Sequence, residues 1–326
     1  MTDLPKETLT ILLAGRTPAT PEFMDQIQDI LGAVEFMTPE QLRAEPDRVE
    51  RLDIVYGGLP RDMWPRAKQL RWLQTLGAGV NGLLTPEVIA HPVVITTTRG
   101  MHAESVTEHL FGMLLTLTRR LYQAWDGQRQ RDWRAGRPDE ERLVALAGKT
   151  LGILGLGTIG RHAARVGQAF GMRVIGLRRS GASTPEVDRV YRPEEKAAFL
   201  AECDVLFDLL PLTPETRHFL DANAFAQMKP TAILVNGGRG GTVDTAALVD
   251  ALSSGRLGGA CLDVTDPEPL PPDHPLWGME RVLITPHYGG AQAGYEGRAR
   301  QIFLENLRRF VAGEPLLNVV DKHRGY

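Results

Sequence analysis

Cysteine is scarce in this chain: Cys203 and Cys261 are the only two among 326 residues. Two cannot form a disulfide framework, and no C-x-x-C is present. Both sit in apolar, strand-like runs and read as small buried hydrophobes. Neither sign of charge is in excess. A formal net charge of −3 gives no reason to expect nucleic acid or an anionic membrane as a partner. Long apolar runs are missing too, since no stretch approaches the roughly 20 residues that a spanning helix needs. The first apolar run, Leu9 to Ala14, is too short for a signal sequence and follows the charged Asp3, Lys6 and Glu7. We therefore expect a cytoplasmic location, with no membrane partner. Internal repeats and low-complexity tracts are absent, and we expect no metal.

What the chain does hold is an ordinary globular composition, 43 % hydrophobic and 24 % charged, at a length that suits about two domains. It is organised around Gly152-Ile-Leu-Gly155-Leu-Gly157-Thr-Ile-Gly160-Arg-His-Ala-Ala. Apolar residues lead up to Gly155 as in a buried strand, an alanine-rich helical stretch follows Gly160, and 172–177 reads as a second strand. A lone G-x-G-x-x-G is weak, because glycines so spaced also make ordinary tight turns. Between a strand and a helix it points to dinucleotide binding. The turn lets backbone approach a phosphate, and the helix offers it free N–H groups.

In chain order, 8–14 reads as a buried strand and 21–31 as a helix, with further strands at 52–56, 71–75 and 93–97. Strands separated by helices imply a parallel sheet. Gly77-Ala78-Gly79-Val80-Asn81-Gly82 follows one of these strands, either as an anion nest or as a glycine turn without a ligand. From 102 to about 131 the pattern is one long helix, a natural connector to the second region. There we expect helices at 159–170, 193–202 and 244–254, and strands at 204–210, 231–236, 259–264 and 282–285. This is a doubly wound α/β fold, a Rossmann-type nucleotide domain beside a smaller flavodoxin-like one. An amphipathic helix at 295–311 is expected to return to the first domain. The expected division is 1–100 with 292–326 for the smaller, substrate-binding domain and 101–291 for the dinucleotide-binding domain.

The nucleotide can be read from the second strand of the larger domain. An acid at its tip would accept bonds from the adenosine ribose; here the tip is Arg178-Arg179-Ser180. Guanidinium groups chelate a 2′-phosphate that an acid would repel, so NADP(H) is favoured, with NAD(H) still possible. The alternative is a solvated basic loop.

Three residues near the ends of later strands form a chemical set: Arg239, Glu268 and His287. Reduction of a 2-keto acid makes an alkoxide, which an imidazole can protonate. A neighbouring carboxylate orients that ring, and an arginine can hold the substrate carboxylate and polarise its carbonyl. Singly, each residue has a bland alternative as a packing or solvated group. Their joint placement beside a nucleotide fold is what points to catalysis.

With these motifs the chain resembles the D-isomer-specific 2-hydroxyacid dehydrogenases, especially the glyoxylate/hydroxypyruvate reductase branch. The likeness runs through Leu146 to Gly160, Leu210-Pro-Leu-Thr-Pro-Glu-Thr216, 228–248, 262–287 and the closing Glu305-Asn-Leu-Arg-Arg-Phe-Val-Ala-Gly-Glu-Pro-Leu. It implies that Arg239 binds substrate, that His287 donates the proton in reduction, and that Glu268 is its paired carboxylate. It further implies substrate-carboxylate contacts from the backbone of Ala78, Gly79 and Val80. Cofactor contacts are implied at Gly155, Gly157, Thr158, Ile159, Gly160, Arg178, Arg179 and Ser180. Others are implied at Leu210, Pro211, Thr216, Gly237, Gly238, Arg239, Asp263, His287 and Gly290, with Asp263 near the nicotinamide amide. The family's members are generally homodimers, with 101–145 at the interface.

Two departures stand out: Tyr288 where the family often has a small aliphatic residue, and Arg178 where it often has an acid. Arg99, Met101 and His102 could face substrate, and Trp133 a pocket, even a partner's; otherwise they are interface or surface residues. The resemblance also leaves open a bulkier 2-keto acid, phosphoglycerate, formate or phosphite as substrate. A dinucleotide-sensing corepressor-like protein would need a peptide groove and long tails, for which the sequence shows no sign.

Overall fold

A computed structural model describes residues 8–80 and 82–325; Asp3, Lys6, Glu7 and Asn81 of the sequence reading lie outside the described residues. The chain folds as two units, one up to Met101 and resuming at Gln292, the other from His102 to Ala291. In the first, β1 (Leu9–Leu13) is five buried residues in a row, as expected for a strand covered on both faces. Thr20 then caps α1 (Pro21–Leu31), accepting from the Phe23 N–H, with Pro21 at the first helical position. β2 (Val34–Met37), α2 (Pro39–Ala44), β3 (Ile54–Tyr56), β4 (Trp72–Gln74), α3 (Pro86–Ala90) and β5 (Val94–Thr96) follow. The parallel strands lie in the order β2-β1-β3-β4-β5, the flavodoxin-like arrangement.

The second unit opens with α4 (Ala103–Thr118) and α5 (Leu121–Gln130), then β6 (Thr150–Leu154), α6 (Thr158–Ala169), β7 (Arg173–Leu177) and β8 (Arg189–Tyr191). It continues with α7 (Lys196–Glu202), β9 (Val205–Asp208), α8 (Ala222–Gln227), β10 (Ile233–Asn236), α9 (Thr245–Ser253), β11 (Gly259–Leu262) and β12 (Val282–Ile284). All seven strands are parallel, in the order β12-β11-β10-β9-β6-β7-β8. This is a Rossmann-type sheet whose strand order reverses between β6 and β9. Every strand therefore ends at one edge, and ligands of such sheets bind at that reversal. Ile153, Phe207, Val235 and Cys261 pack under α4 and α6, whereas Leu206, Leu234 and Leu262 pack under α7, α8 and α9.

The first unit is completed by α10 (Tyr295–Ala312), which buries Phe303 and Leu307 against α1 and β4. The Phe303 ring stacks on Trp72 at 4.9 Å, and the Asn306 amide donates to buried Gln74 at 3.1 Å. No helix among the described residues is long and apolar enough to cross a membrane.

Some elements differ from the sequence reading. The expected helix over 102–131 breaks at Arg120, whose left-handed φ of 52° separates α4 from α5. Neither glycine nor proline marks the break. It is held instead by tertiary bonds, from the Val144 N–H to the Thr118 carbonyl (3.0 Å) and from the buried Arg120 to Glu280 (3.2 Å). Edge strands β2 and β8 were not legible, being short and only partly buried. Cys203 follows the end of α7 instead of lying in a strand, and its thiol donates to the Phe199 carbonyl.

Candidate active site

At the carboxyl end of β6 the chain turns at Gly155, whose φ of 93° suits glycine. A Cβ on Gly160 would lie 2.1 Å from the Gly155 carbonyl oxygen, so any side chain there would push turn and helix apart. Gly157 caps α6 without a side chain, and the amides of Thr158 and Ile159 have no partner among the described residues. Turn and helix end together form a cradle for an anion beside the strand-order reversal. The tip of β7 carries Arg178, half-buried, followed by the exposed Arg179 and Ser180. The Arg178 amide donates to Tyr191 (3.1 Å), and its carbonyl accepts from Gly181 (3.1 Å), which fixes the bend. The residues fit a dinucleotide: glycines where backbone must come close to a pyrophosphate, and basic side chains where the second strand ends.

Beyond β9, Thr216 donates to the Pro211 carbonyl (2.6 Å) and accepts from the Thr213 amide (2.8 Å), clamping the loop after Leu210. The last residue of β9, Asp208, is fully buried and escaped the sequence reading. One carboxylate oxygen accepts from the Leu210 amide (3.1 Å), and the other lies 2.5 Å from the Thr242 hydroxyl. Burial outweighs these bonds and pushes the carboxyl up to about 6. Below that value a protonated Asp208 donates to Thr242, whose single proton then goes to the Arg239 carbonyl at 2.6 Å and anchors Arg239; above it the Thr242 proton goes to the carboxylate.

A raised acid favours the fold most below the ordinary carboxylate range, and that contribution is lost as pH rises through about 6. Asp208→Asn keeps one acceptor and one donor without the charge. It should raise Tm at pH 8 by about 5 °C more than at pH 5. Equal Tm gains in calorimetry at the two pH values would refute a buried titrating carboxyl.

After β10, Gly237 and Gly238 pass too close to neighbours for side chains; a Cβ on Gly238 would lie 2.7 Å from the Leu210 carbonyl oxygen. The Gly238 amide donates to the Asn236 side chain (3.0 Å), whose own amide donates to the Arg239 carbonyl (3.2 Å). Arg239 is half-buried, and burial lowers its guanidinium against the opposing pull of Glu268. His287 and Glu268, from the loops after β12 and β11, meet at 2.5 Å between Nδ1 and Oε1. This leaves the ring's Nε2 to exchange a proton with a ligand. His287 itself has a left-handed φ of 51°, unusual for a non-glycine residue. Asp263 is buried and accepts from the Tyr288 (3.1 Å) and Gly289 (3.0 Å) amides, while a Cβ on Gly290 would lie 3.0 Å from the His102 ring.

In the first unit, Ala78 and Gly79 are exposed and Val80 is buried. The three amides have no hydrogen-bond partner among the described residues. Thr75 donates to the Gly77 carbonyl (2.8 Å), and Thr98 (3.1 Å) and Tyr295 both donate to that of Leu76. The turn is thus held by its carbonyls, leaving N–H groups free for an anion.

The remaining residues scatter. Arg99 and Met101 belong to the first unit, where their carbonyls accept from Asn318 (2.8 Å) and Gln292 (3.0 Å). His102 is buried in the second. Trp133 is 91 % exposed and lines a groove with Gly127, Arg131 and Gly136. Tyr288 is also exposed, its ring edge-on to His109 at 4.7 Å. His109 and Asp208 were both missed. Asp208 stands within an apolar run and His109 follows Val106-Thr-Glu, and nothing local in the sequence marks either as part of a site.

Comparison with known proteins bears on this arrangement. The family model for "D-isomer specific 2-hydroxyacid dehydrogenase, NAD binding domain" matches residues 111–289. A glyoxylate reductase of Aeropyrum pernix is 38 % identical over 267 residues, 80 % of this chain and 79 % of the relative. A D-3-phosphoglycerate dehydrogenase of Methanocaldococcus jannaschii is 31 % identical, over 91 % of this chain but 57 % of its own length. Among solved structures, an NADPH-dependent glyoxylate/hydroxypyruvate reductase of Sinorhizobium meliloti, in complex with NADP and sulfate, superposes with a TM-score of 0.79 at 30 % identity. That match covers 98 % of this chain and all of the other.

Proposed function

The chain belongs to the D-isomer-specific 2-hydroxyacid dehydrogenases, a family of oxidoreductases, and from that premise we propose that it reduces a small 2-keto acid with NADPH. Glyoxylate and hydroxypyruvate are the first substrates to test, as the names of the Aeropyrum and Sinorhizobium relatives suggest. The observation that carries the reading is the His287–Glu268 pair, set on the same sheet edge as the glycine turn.

When bound, the reduced nicotinamide supplies the hydride; the residues of the chain do the rest. Residues 102–291 hold the dinucleotide, with Gly155, Gly157, Thr158, Ile159 and Gly160 around the pyrophosphate and Arg178, Arg179 and Ser180 at the 2′-phosphate. Leu210, Pro211, Thr216, Gly237, Gly238, Asp263 and Gly290 complete the cradle. Arg239 binds the substrate carboxylate and polarises the carbonyl, its partial burial strengthening the field it exerts. His287 delivers its Nε2 proton to the nascent alkoxide, and Glu268 steadies the imidazolium. The free amides of Ala78, Gly79 and Val80 suit a carboxylate in the first unit, the substrate domain of this reading.

Homodimerisation through 101–145, and residence in the cytoplasm, belong to the same proposal. The exposed Leu121, Trp125 and Trp133 favour that interface. A panel of glyoxylate, hydroxypyruvate, bulkier 2-keto acids and 3-phosphohydroxypyruvate, each with NADPH and NADH, tests the substrate. Loss of nicotinamide absorbance should be fastest with glyoxylate or hydroxypyruvate and NADPH. A preference for the phosphorylated acid would move the chain toward the phosphoglycerate branch. No turnover on any member would reject the reading.

A further inference from the structure

The Asp263 carboxylate is the most heavily bonded group near the proposed proton donor. It is 5 % exposed and accepts from the Thr285 hydroxyl (2.7 Å) and from the amides of Tyr288 (3.1 Å) and Gly289 (3.0 Å). Its backbone carbonyl accepts from the His287 amide at 2.9 Å. Asp263 thereby grips three consecutive residues, the first of them held at a left-handed φ of 51°. Such a conformation costs a non-glycine residue free energy and persists only where its surroundings enforce it.

His109, on α4, reaches this grip from the far side. Its Nε2 lies 2.9 Å from the Thr285 hydroxyl oxygen and 3.2 Å from Asp263 Oδ1. The single Thr285 proton goes to the carboxylate, the shorter and charge-assisted bond, so the hydroxyl oxygen accepts and His109 Nε2 carries hydrogen. One N–H therefore serves both oxygens. The ring also leaves no slack: a Cβ on Gly289 would lie 2.8 Å from Asp263 Oδ2 and 3.0 Å from the His109 ring. Burial alone would raise the Asp263 carboxyl, yet the bonds from His109, Thr285 and Gly289 hold it below its ordinary value. It stays anionic, which is what a strong acceptor for two amides requires.

We propose that His109 is a positioning residue. Through Asp263 it clamps residues 287–289 in the conformation that presents the His287 imidazole. The role rests on the reading of His287 as proton donor; the clamp itself rests only on this geometry.

Two substitutions separate the clamp from mere packing. His109→Leu keeps bulk and loses the donor, whereas His109→Gln can place an N–H where Nε2 stands. In the leucine variant, amide hydrogen exchange at Tyr288 and Gly289 should rise at least about 10-fold while β6 and β7 keep wild-type protection. With the 2-keto acid that turns over best, kcat should fall about 10- to 100-fold and KM for the nucleotide should change less than about 3-fold. The glutamine variant should return both readouts to within about 3-fold of wild type.

Unchanged exchange at 288–289 in the leucine variant would overturn the clamp. So would a uniform rise across the unit, or a glutamine variant that behaves like leucine, since either marks simple packing. If the leucine variant does not fold, His109→Asn, too short to reach Asp263, takes its place. Should the wild type turn over no 2-keto acid, the His287 reading fails, and exchange still decides the clamp.

Discussion

Replacing His287 by alanine is expected to lower kcat for 2-keto acid reduction by about 10³-fold, within the range contributed by a positioned general acid. The ring lies beyond the β12 terminus and is paired through Nδ1 with a carboxylate, Glu268, at 2.5 Å. Under the proposed mechanism the developing alkoxide then loses its proton donor, while the polarising field of Arg239 is retained. Nucleotide affinity, followed by quenching of intrinsic fluorescence on titration with NADPH, should stay within about 3-fold, because the glycine turn and β7 tip are untouched. A kcat that drops less than about 10-fold would assign the proton to another group.

The second large effect concerns the choice of nucleotide. Arg178→Asp combined with Arg179→Ala should lower the NADPH/NADH ratio of kcat/KM by about 10²- to 10³-fold, since two charge-assisted contacts are lost and a repulsive carboxylate is added. The new acid would also accept from the adenosine ribose, so kcat/KM with NADH should rise. Neither arginine lies on the strands that carry Arg239 and His287, and kcat at saturating NADH should hold. A ratio that does not move would place the 2′-phosphate elsewhere, or show that the chain never distinguished the two nucleotides.

How far each group could be read from the chain follows from the range of the forces that position it. Gly155 and Gly160 were legible because their constraint is local: a Cβ on one meets the carbonyl of the other five residues away. Arg239, Glu268 and His287 each follow a strand, and a parallel sheet delivers such loops to one edge. Arg120 was not legible as a break, since its left-handed turn depends on Glu280, 160 residues further along the chain. Asp208 reads as an anomaly in an apolar strand until Thr242 is seen across from it, 34 residues on.

His109 is the clearest case. Nothing in Val106-Thr-Glu-His109 announces a partner, and Thr285 is 176 residues away. Periodicity and turn chemistry marked most of the strands and helices, the glycine turn after β6 and the basic β7 tip, because these arise between residues close in the chain. That Asp263 faces His109, where α4 stops and how the His287 backbone is constrained were decided only on folding. Those contacts depend on strand order and helix register, which join distant segments and leave no local trace.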